Sequence, residues 1–273
     1  RDDKVVTAWN GLAITALAEA SVALNRPEFL TAATQCASAV IDLHVVDGRL
    51  RRASLGRRVG DSAAILEDHA MLATGLLTLY QLTGGSSWLD SATALLDIAL
   101  EHFADPEREG RWFDTADDAE QLMVRPGDPL DGATPSGASS VAEALQLAAH
   151  LVAGDRAVRY AAAADTTLAS ATPILARLPR SGGHWLAVAE AAVRGPIQVA
   201  VACDPGHSEL LAAARRLAPG GAVVVGGPVN SSALLIDRDR VSGEDAAYVC
   251  RGRVCDLPVT SSGQLASALG AAV

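Results

Sequence analysis

The stretch AILEDHAMLATGLLTLYQLTGG, residues 64–85, decides the fold class of this chain. It is rich in Leu and Ala, which favour helices because they lose little side-chain entropy there. Two glycines close the stretch, and glycine commonly ends a helix. We therefore predict a helix that begins near Leu66 and ends before Gly84.

Similar helical segments lie before and after this stretch. Helices that would open successive hairpins begin near Trp9, Leu66 and Ser136, so their starts recur at roughly 60 to 70 residues. A repeat of this length is typical of stacked helical hairpins, as in a solenoid or an α/α toroid. The pattern predicts a mainly α fold, a partial (α/α)6 toroid over residues 1–195.

The first helix carries an apolar stripe at helical spacing, which predicts the face that packs on the core. The stripe consists of Trp9, Leu12, Ala13, Ala16, Leu17, Ala20 and Leu24.

The pattern changes after Gly195. Short Val-rich runs at 197–204 and 222–227 are typical of buried strands, and a helical segment lies between them. This order predicts a β–α–β unit, to which ALLID and AYVCRGRVC could add strands. We predict a small α/β C-terminal subdomain over residues 196–273.

Composition excludes several classes of function. The net charge of −10 argues against nucleic-acid binding through phosphate contacts. No apolar run reaches the roughly 18 residues that span a bilayer, so no membrane partner is expected. The four cysteines lack paired metal spacing, which predicts no metal, no cofactor and a cytoplasmic protein. The basic run RLRRASLGRRVG, residues 49–60, favours a solvated loop over an anion site.

Charged and aromatic loops precede the first, third and fifth helices, and loops at one end of a toroid are where a pocket would form. Glu67, Asp68 and His69 start the third helix. They could cap the helix, since carboxylates are favoured at its N-terminus. They could instead be catalytic, as general acid/base groups in a sugar pocket.

Two further segments supply candidate substrate-binding residues. Asp3, Lys4 and Asn10 could form a salt-bridge cluster or bind a sugar, and Trp9 could pack in the core or offer a sugar its aromatic face. The loop at 112–137 is held by prolines and glycines, which suits a segment that closes a pocket. Its candidates are Trp112, Phe113, Asp114, Arg125, Asp128 and Asp131.

The motifs DDKVVTAWNGL, LEDHAMLATGLLTLYQLT, WFDT, VRPGDPLDGATPSG and AYVCRGRVCDLPVT resemble the family of large thioredoxin-domain-containing proteins that includes spermatogenesis-associated protein 20. The resemblance implies an N-terminal thioredoxin-like domain followed by a toroid similar to N-acylglucosamine 2-epimerases and six-hairpin glycosidases. This chain would then begin inside the toroid. Ala138 and Ile65 depart from the family pattern, where an amide and a Tyr are common.

Two functions follow as alternatives. The toroid could be a carbohydrate-active enzyme, with a carbohydrate ligand and epimerase or glycosidase chemistry. It could instead be a non-catalytic scaffold that positions the thioredoxin-like domain for protein clients. Further expected partners are the missing N-terminal half of the same protein and, through unpaired helix edges, a second copy of this chain.

Overall fold

The computed structural model describes residues 2–252 and 254–270. Arg1, Arg253 and residues 271–273 lie outside the described residues. The predicted domain limits at residues 1 and 273, and one position of the CRGRVC motif, therefore also lie outside them. The helices are α1 Thr7–Ala23, α2 Pro27–His44, α3 Leu66–Thr83, α4 Ser86–His102, α5 Gly137–Leu151, α6 Gly154–Ser170, α7 Thr172–Arg177, α8 Gly183–Val193, α9 Glu209–Leu217 and α10 Ser262–Leu269. The strands are β1 Lys4–Val6, β2 Val45–Val46, β3 Arg49–Leu50, β4 Ala53–Leu55, β5 Arg58–Val59, β6 Ile197–Ala202, β7 Val223–Gly227, β8 Ala246–Arg251 and β9 Val254–Cys255.

The first six helices form three hairpins, and α1, α3 and α5 lie side by side as the inner layer. Their N-termini meet at one end: the Ala8 amide bonds to a side chain of α3, and Gly137 lies against the Glu67 amide. This arrangement confirms the predicted mainly α fold with a partial toroid of helical hairpins.

Helix α3 is the centre of this layer. Of its 18 residues, 14 are buried, because α1, α4 and α5 all pack around it. The helix ends at Gly84, whose left-handed backbone (φ 70°) is the glycine stop expected from the sequence.

Helices α1 and α3 approach each other closely through two glycines. A methyl group on Gly11 would lie 2.5 Å from the backbone carbon of Met71, and one on Gly75 would lie 3.0 Å from the carbonyl oxygen of Gly11. Small residues alone permit this separation, because any larger side chain would push the two backbones apart.

The side of α1 that is buried differs from the predicted stripe, of which Leu17 packs partly against the core. The buried residues are Thr7, Ala8, Gly11, Ile14, Ala18 and Ser21. Trp9 is 57% exposed, and Ala13 and Ala16 are also exposed, because the small-residue face is the one that fits against α3. The expected contacts of exposed helix faces with a second copy or with a missing N-terminal half stay predictions.

The basic run at 49–60 is not the solvated loop that its charge favoured. It contributes strands β3, β4 and β5, and β4 pairs antiparallel with both β1 and β5. Ser54 on β4 is buried and bonds to the buried His44 at the end of α2, at 2.9 Å. The small sheet thereby positions Arg52 beside the start of α3.

The C-terminal part contains the predicted β–α–β unit, with β6 and β7 parallel and α9 between them. The sheet order is β7-β6-β8-β9. The ALLID segment is not a strand: residues Ala233–Leu235 form a 3-10 turn. One face of the sheet, with Ala200 and Val223, joins the helical core, while Val199 and Val249 pack in a second core with α9 and α10. The division into two domains at residue 195 stays a prediction.

The AYVCRGRVC segment forms two strands instead of one. Cys250 on β8 lies directly opposite Cys255 on β9, and the two form a disulfide. The turn that begins at Gly252 lets the two cysteines face each other across the hairpin. In the part of the chain that the structure describes, no helix has the length and apolar character needed to cross a bilayer.

The glycine contact between α1 and α3 generates a stability prediction. We expect Gly11→Ala to lower the free energy of unfolding by at least about 2 kcal/mol, because the new methyl group meets backbone that cannot move aside cheaply. Urea unfolding measures the change. Gly263→Ala in α10 is the control: nothing lies within 4 Å of its added methyl group, so this change should be neutral or stabilising. Equal stability of the two variants would contradict close packing at Gly11.

Candidate functional site at the N-terminal ends of the inner helices

Asp68 links the starts of two inner helices. Its side chain is fully buried and accepts hydrogen bonds from the amides of Ala8 and Ile65, each at 2.9 Å, and from Arg52 at 2.9 Å. Burial raises the pKa of Asp68 to about 6, against the opposing effect of these donors. All of these bonds are internal to the fold. Asp68 therefore caps the N-terminus of α3 and links it to the start of α1.

Glu67 lies next to Asp68, but its side chain is only partly buried. Its side chain is 22% exposed, and its carboxylate pairs with Arg52 at 3.0 Å. Arg52 therefore holds Glu67 and Asp68 at once, one through each terminal nitrogen of its guanidinium. The sequence analysis missed this arginine, because the basic run containing it read as solvated loop.

Asp114 brings the long loop to the same place. Its carbonyl accepts the Leu66 amide at 2.9 Å, and its carboxylate accepts the Asp128 amide at 3.1 Å. Burial raises the pKa of Asp114, the charges of Asp128 and Glu67 raise it further, and the hydrogen bond from the Asp128 amide opposes the shift. A half-buried carboxyl group with a raised pKa thus lies near a carboxylate that is paired with arginine.

His69 does not belong to this group of carboxyl groups. It is 2% exposed, its Nδ1 bonds to the Ile65 carbonyl at 3.1 Å, and its ring lies 5.0 Å from the Phe103 ring. Burial lowers the pKa of His69 to about 4, and the charges of Arg49 and His102 act in the same direction. The imidazole is therefore neutral near pH 7, and it packs against Phe103 at the end of α4.

The candidates near the start of α1 have separate surroundings. Trp9 is exposed in the first turn, next to the amide that binds Asp68. Asn10 donates to the Val6 carbonyl at 2.8 Å and accepts from Cys36, so its amide is occupied within the fold. Lys4 pairs with Asp2 at 3.3 Å, and Asp3 is exposed.

Most other candidates of the long loop hold the loop itself. Trp112 is buried and donates to Thr167 at 2.9 Å. Arg125 donates to the carbonyls of His102 and Thr115, and its guanidinium lies 4.2 Å from the centre of the Phe113 ring. The arrangement therefore uses Arg125 and Phe113 to fold the loop onto the end of α4.

Asp131 joins the loop to two helix starts. One carboxylate oxygen accepts from the Ser136 amide at 2.9 Å and from the Ser139 hydroxyl at 2.7 Å. The other accepts from the amides of His184 and Trp185. Asp131 thus caps α5 and α8, and it does not extend toward Glu67.

A cavity of about 570 Å³ lies between the inner helices and the α/β region. Glu19 of α1 and Glu143 of α5 line it, and partial burial together with the charge of Glu143 raises the pKa of Glu19. Glu143 pairs with His184 at 3.2 Å. The sequence analysis missed these residues, because single acids in Ala-rich helices read as solvent-facing positions.

One group among the described residues could in principle hold a metal ion. His102, Asp117 and Asp118 offer ligand atoms within 4.8 Å of one another. However, Asp118 forms a two-armed ion pair with Arg49, and His102 Nδ1 bonds to Asp117 at 2.7 Å. These partners account for the cluster without an ion.

Sequence comparison identifies relatives of the chain. Spermatogenesis-associated protein 20 from Rattus norvegicus is 36% identical over 165 residues, which are 57% of this chain and 21% of the relative. The protein of the same name from Homo sapiens is 26% identical over 284 aligned residues, which cover 97% of this chain and 36% of the relative. The chain is similar in sequence to spermatogenesis-associated protein 20. It spans about a fifth to about a third of these relatives' length, and no protein-family model matches it.

Solved structures of sugar enzymes share the helical architecture. A GH76 alpha-mannanase from Bacteroides thetaiotaomicron has a TM-score of 0.50 and 15% identity, and the match covers 63% of this chain and 45% of that chain. An unsaturated glucuronyl hydrolase from Bacillus sp. GL1 also has a TM-score of 0.50 and 15% identity, over 62% of this chain and 46% of that chain. At this level of identity the likeness shows the six-hairpin glycosidase-like fold alone.

The buried His69 generates a prediction about pH. A histidine with a lowered pKa binds its proton less tightly in the folded than in the unfolded chain. Protonation therefore favours the unfolded chain, and the free energy of unfolding falls as the pH drops from 6.5 to about 4. We expect His69→Leu to remove about 3 kcal/mol of the fall in unfolding free energy between about pH 7.5 and about pH 4.

Urea unfolding at the two pH values measures this difference. The control is His207→Leu, since the side chain of His207 is 87% exposed and is not packed in the core. If the wild type and His69→Leu lose stability equally in acid, His69 is not held neutral in the fold.

Proposed function

We propose that the mouth formed by the N-terminal ends of α1, α3 and α5 is a carbohydrate site, with Glu67 and Asp114 as its acid–base pair. The observation that carries this proposal is the contrast between the two carboxyl groups. Glu67 is paired with Arg52, while burial and neighbouring charge raise the pKa of Asp114. Such different surroundings suit Asp114 as a proton donor and Glu67 as a carboxylate, because two carboxyl groups in one site can be given opposite roles by their environments.

Glycosidic chemistry fits these groups better than epimerisation. Hydrolysis of a glycosidic bond uses a protonated carboxyl group at the leaving oxygen and a carboxylate that acts as base or nucleophile. In this proposal Asp114 protonates the glycosidic oxygen, and Glu67 faces the sugar ring or the attacking water. Epimerisation would need an acid and a base that flank one carbon, and His69, a predicted acid–base residue, is buried.

Trp9 provides a surface for the sugar. Its exposed side chain lies in the first turn of α1, beside the amide held by Asp68. An aromatic face packs against the C–H groups of a pyranose, because these carry little charge and are easily desolvated. Among the site residues predicted from sequence, the proposal assigns four to the site: Glu67, Trp9, Asp114 and Asp128. It assigns a structural role to four others: Asp68, His69, Arg125 and Asp131.

The comparisons support the class of ligand. Two proteins with the same helical architecture are, by their titles, an alpha-mannanase and an unsaturated glucuronyl hydrolase. The chain covers only part of its curated relatives, so the proposal extends to a full-length protein in which other segments can complete the site.

Glycan binding by the full-length protein tests the proposal. We expect binding of an oligosaccharide on a glycan array, and a loss of roughly tenfold or more in affinity on Trp9→Ala, because the aromatic contact is removed. Glu101→Gln on the exposed side of α4 is the control and should bind normally. If no glycan binds, the alternative of a non-catalytic scaffold for protein clients gains support.

Turnover of the glycan so identified tests the chemistry. We expect Asp114→Asn and Glu67→Gln each to lower kcat by roughly 100-fold or more, because each removes one member of the acid–base pair. Activity should fall as pH rises through the raised pKa of Asp114, since the proton donor is lost. Full turnover in both variants, with intact folding by circular dichroism, would contradict these roles.

A further inference from the structure

The β8–β9 hairpin carries a disulfide whose two sulfurs differ in access. Cys250 is 1% exposed and Cys255 is exposed, although they occupy opposite positions of the same hairpin. An incoming thiol can therefore reach Cys255, while Cys250 lies inside the sheet region. This arrangement favours attack on one sulfur over the other, because thiol–disulfide exchange depends on access to the sulfur.

Arg238 contacts both sulfurs. Its Nη2 lies 3.2 Å from the Sγ of Cys250 and 3.2 Å from the Sγ of Cys255. Its Nη1 donates to the Leu234 carbonyl at 2.8 Å, and the guanidinium lies over the Tyr248 ring at 5.6 Å from the ring centre. These contacts fix the guanidinium against the disulfide before any reaction takes place.

Among the described residues, no carboxylate pairs with the charge of Arg238. Within residues 2–252 and 254–270, the ion pairs of the structure do not include Arg238, whereas Arg240 pairs with Asp245 and Arg251 pairs with Asp256. Arginine stays protonated in proteins, so this cation faces two neutral sulfurs while the disulfide is intact. Reduction would place a thiolate next to it, and a nearby cation favours the thiolate form of cysteine.

We propose that Cys250 and Cys255 form a redox-active disulfide that exchanges with a dithiol reductant, and that Arg238 stabilises the Cys250 thiolate released in the first step. This inference is independent of the carbohydrate site, because the hairpin lies in the C-terminal sheet. Arg238 is a positioning and charge-stabilising residue, and the two cysteines are the reacting groups.

The exchange proceeds in two balanced steps. A thiolate of the reductant attacks Cys255 Sγ, the Cys250–Cys255 bond breaks, and the electron pair leaves on Cys250 as a thiolate beside Arg238. The second thiol of the reductant loses its proton and attacks its own sulfur in the mixed disulfide, which releases Cys255. The reductant loses two electrons and becomes a disulfide, the protein gains them, and the two thiol protons pass to the cysteines or to water.

A redox titration of the full-length protein with reduced and oxidised glutathione tests the proposal. Differential alkylation followed by peptide mass analysis gives the reduced fraction of the Cys250–Cys255 pair at each ratio. We expect Arg238→Met to lower the equilibrium constant for reduction by roughly tenfold or more, which is about 30 mV for a two-electron couple. Arg238→Lys should keep most of the wild-type value, because it retains a positive charge.

Arg240→Met is the matched control, since Arg240 lies two residues away and pairs with Asp245. It should titrate as the wild type does. Circular dichroism of each variant confirms folding, and dithiothreitol reduction rates, measured against pH, provide a second readout that a merely structural arginine would not shift. The proposal is overturned if Arg238→Met titrates within twofold of the wild type, or if the oxidised protein shows the two cysteines as free thiols.

Discussion

The structure depends on one buried carboxylate, that of Asp68, which joins three separate segments of the chain. Asp68 bonds to the start of α1 through Ala8, to the start of its own helix through Ile65, and to the small sheet through Arg52. A buried polar group needs all its partners, because leaving one unsatisfied costs about as much as losing a hydrogen bond. Three separate segments must therefore come together at once, and this requirement fixes the relative height of α1 and α3.

That constraint explains why the carboxyl groups near the start of α3 have different surroundings. With Asp68 committed to the framework, Arg52 has a second guanidinium nitrogen free for Glu67, and the long loop brings Asp114 against the first turn of α3. Glu67 and Asp68 are adjacent in sequence, but they differ in role because consecutive helical residues point about 100° apart. The carboxylate of Asp68 is therefore fully buried, while that of Glu67 keeps partial contact with solvent.

The sequence predicted the helices, the change of pattern near Gly195 and the β–α–β unit, because Ala-Leu periodicity and Val-rich runs are local signals. It predicted the wrong face of α1. Trp9 and its apolar neighbours outweighed Gly11 and Ala18 in hydrophobicity, whereas close packing selects for small size. The site was predictable only in part. Glu67 and Asp114 stood in recognisable motifs, but the roles of Arg52, Asp131 and His69 depend on contacts between residues that are distant in sequence.

The central strand of the C-terminal sheet has a consequence for how the molecule comes apart. All six residues of β6 are buried, and they alternate between the helical core and the core formed with α9 and α10. Neither layer can separate from this strand without exposing half of its apolar side chains to water. The helical hairpins and the α/β region should therefore unfold in a single cooperative transition, because β6 contributes side chains to both cores.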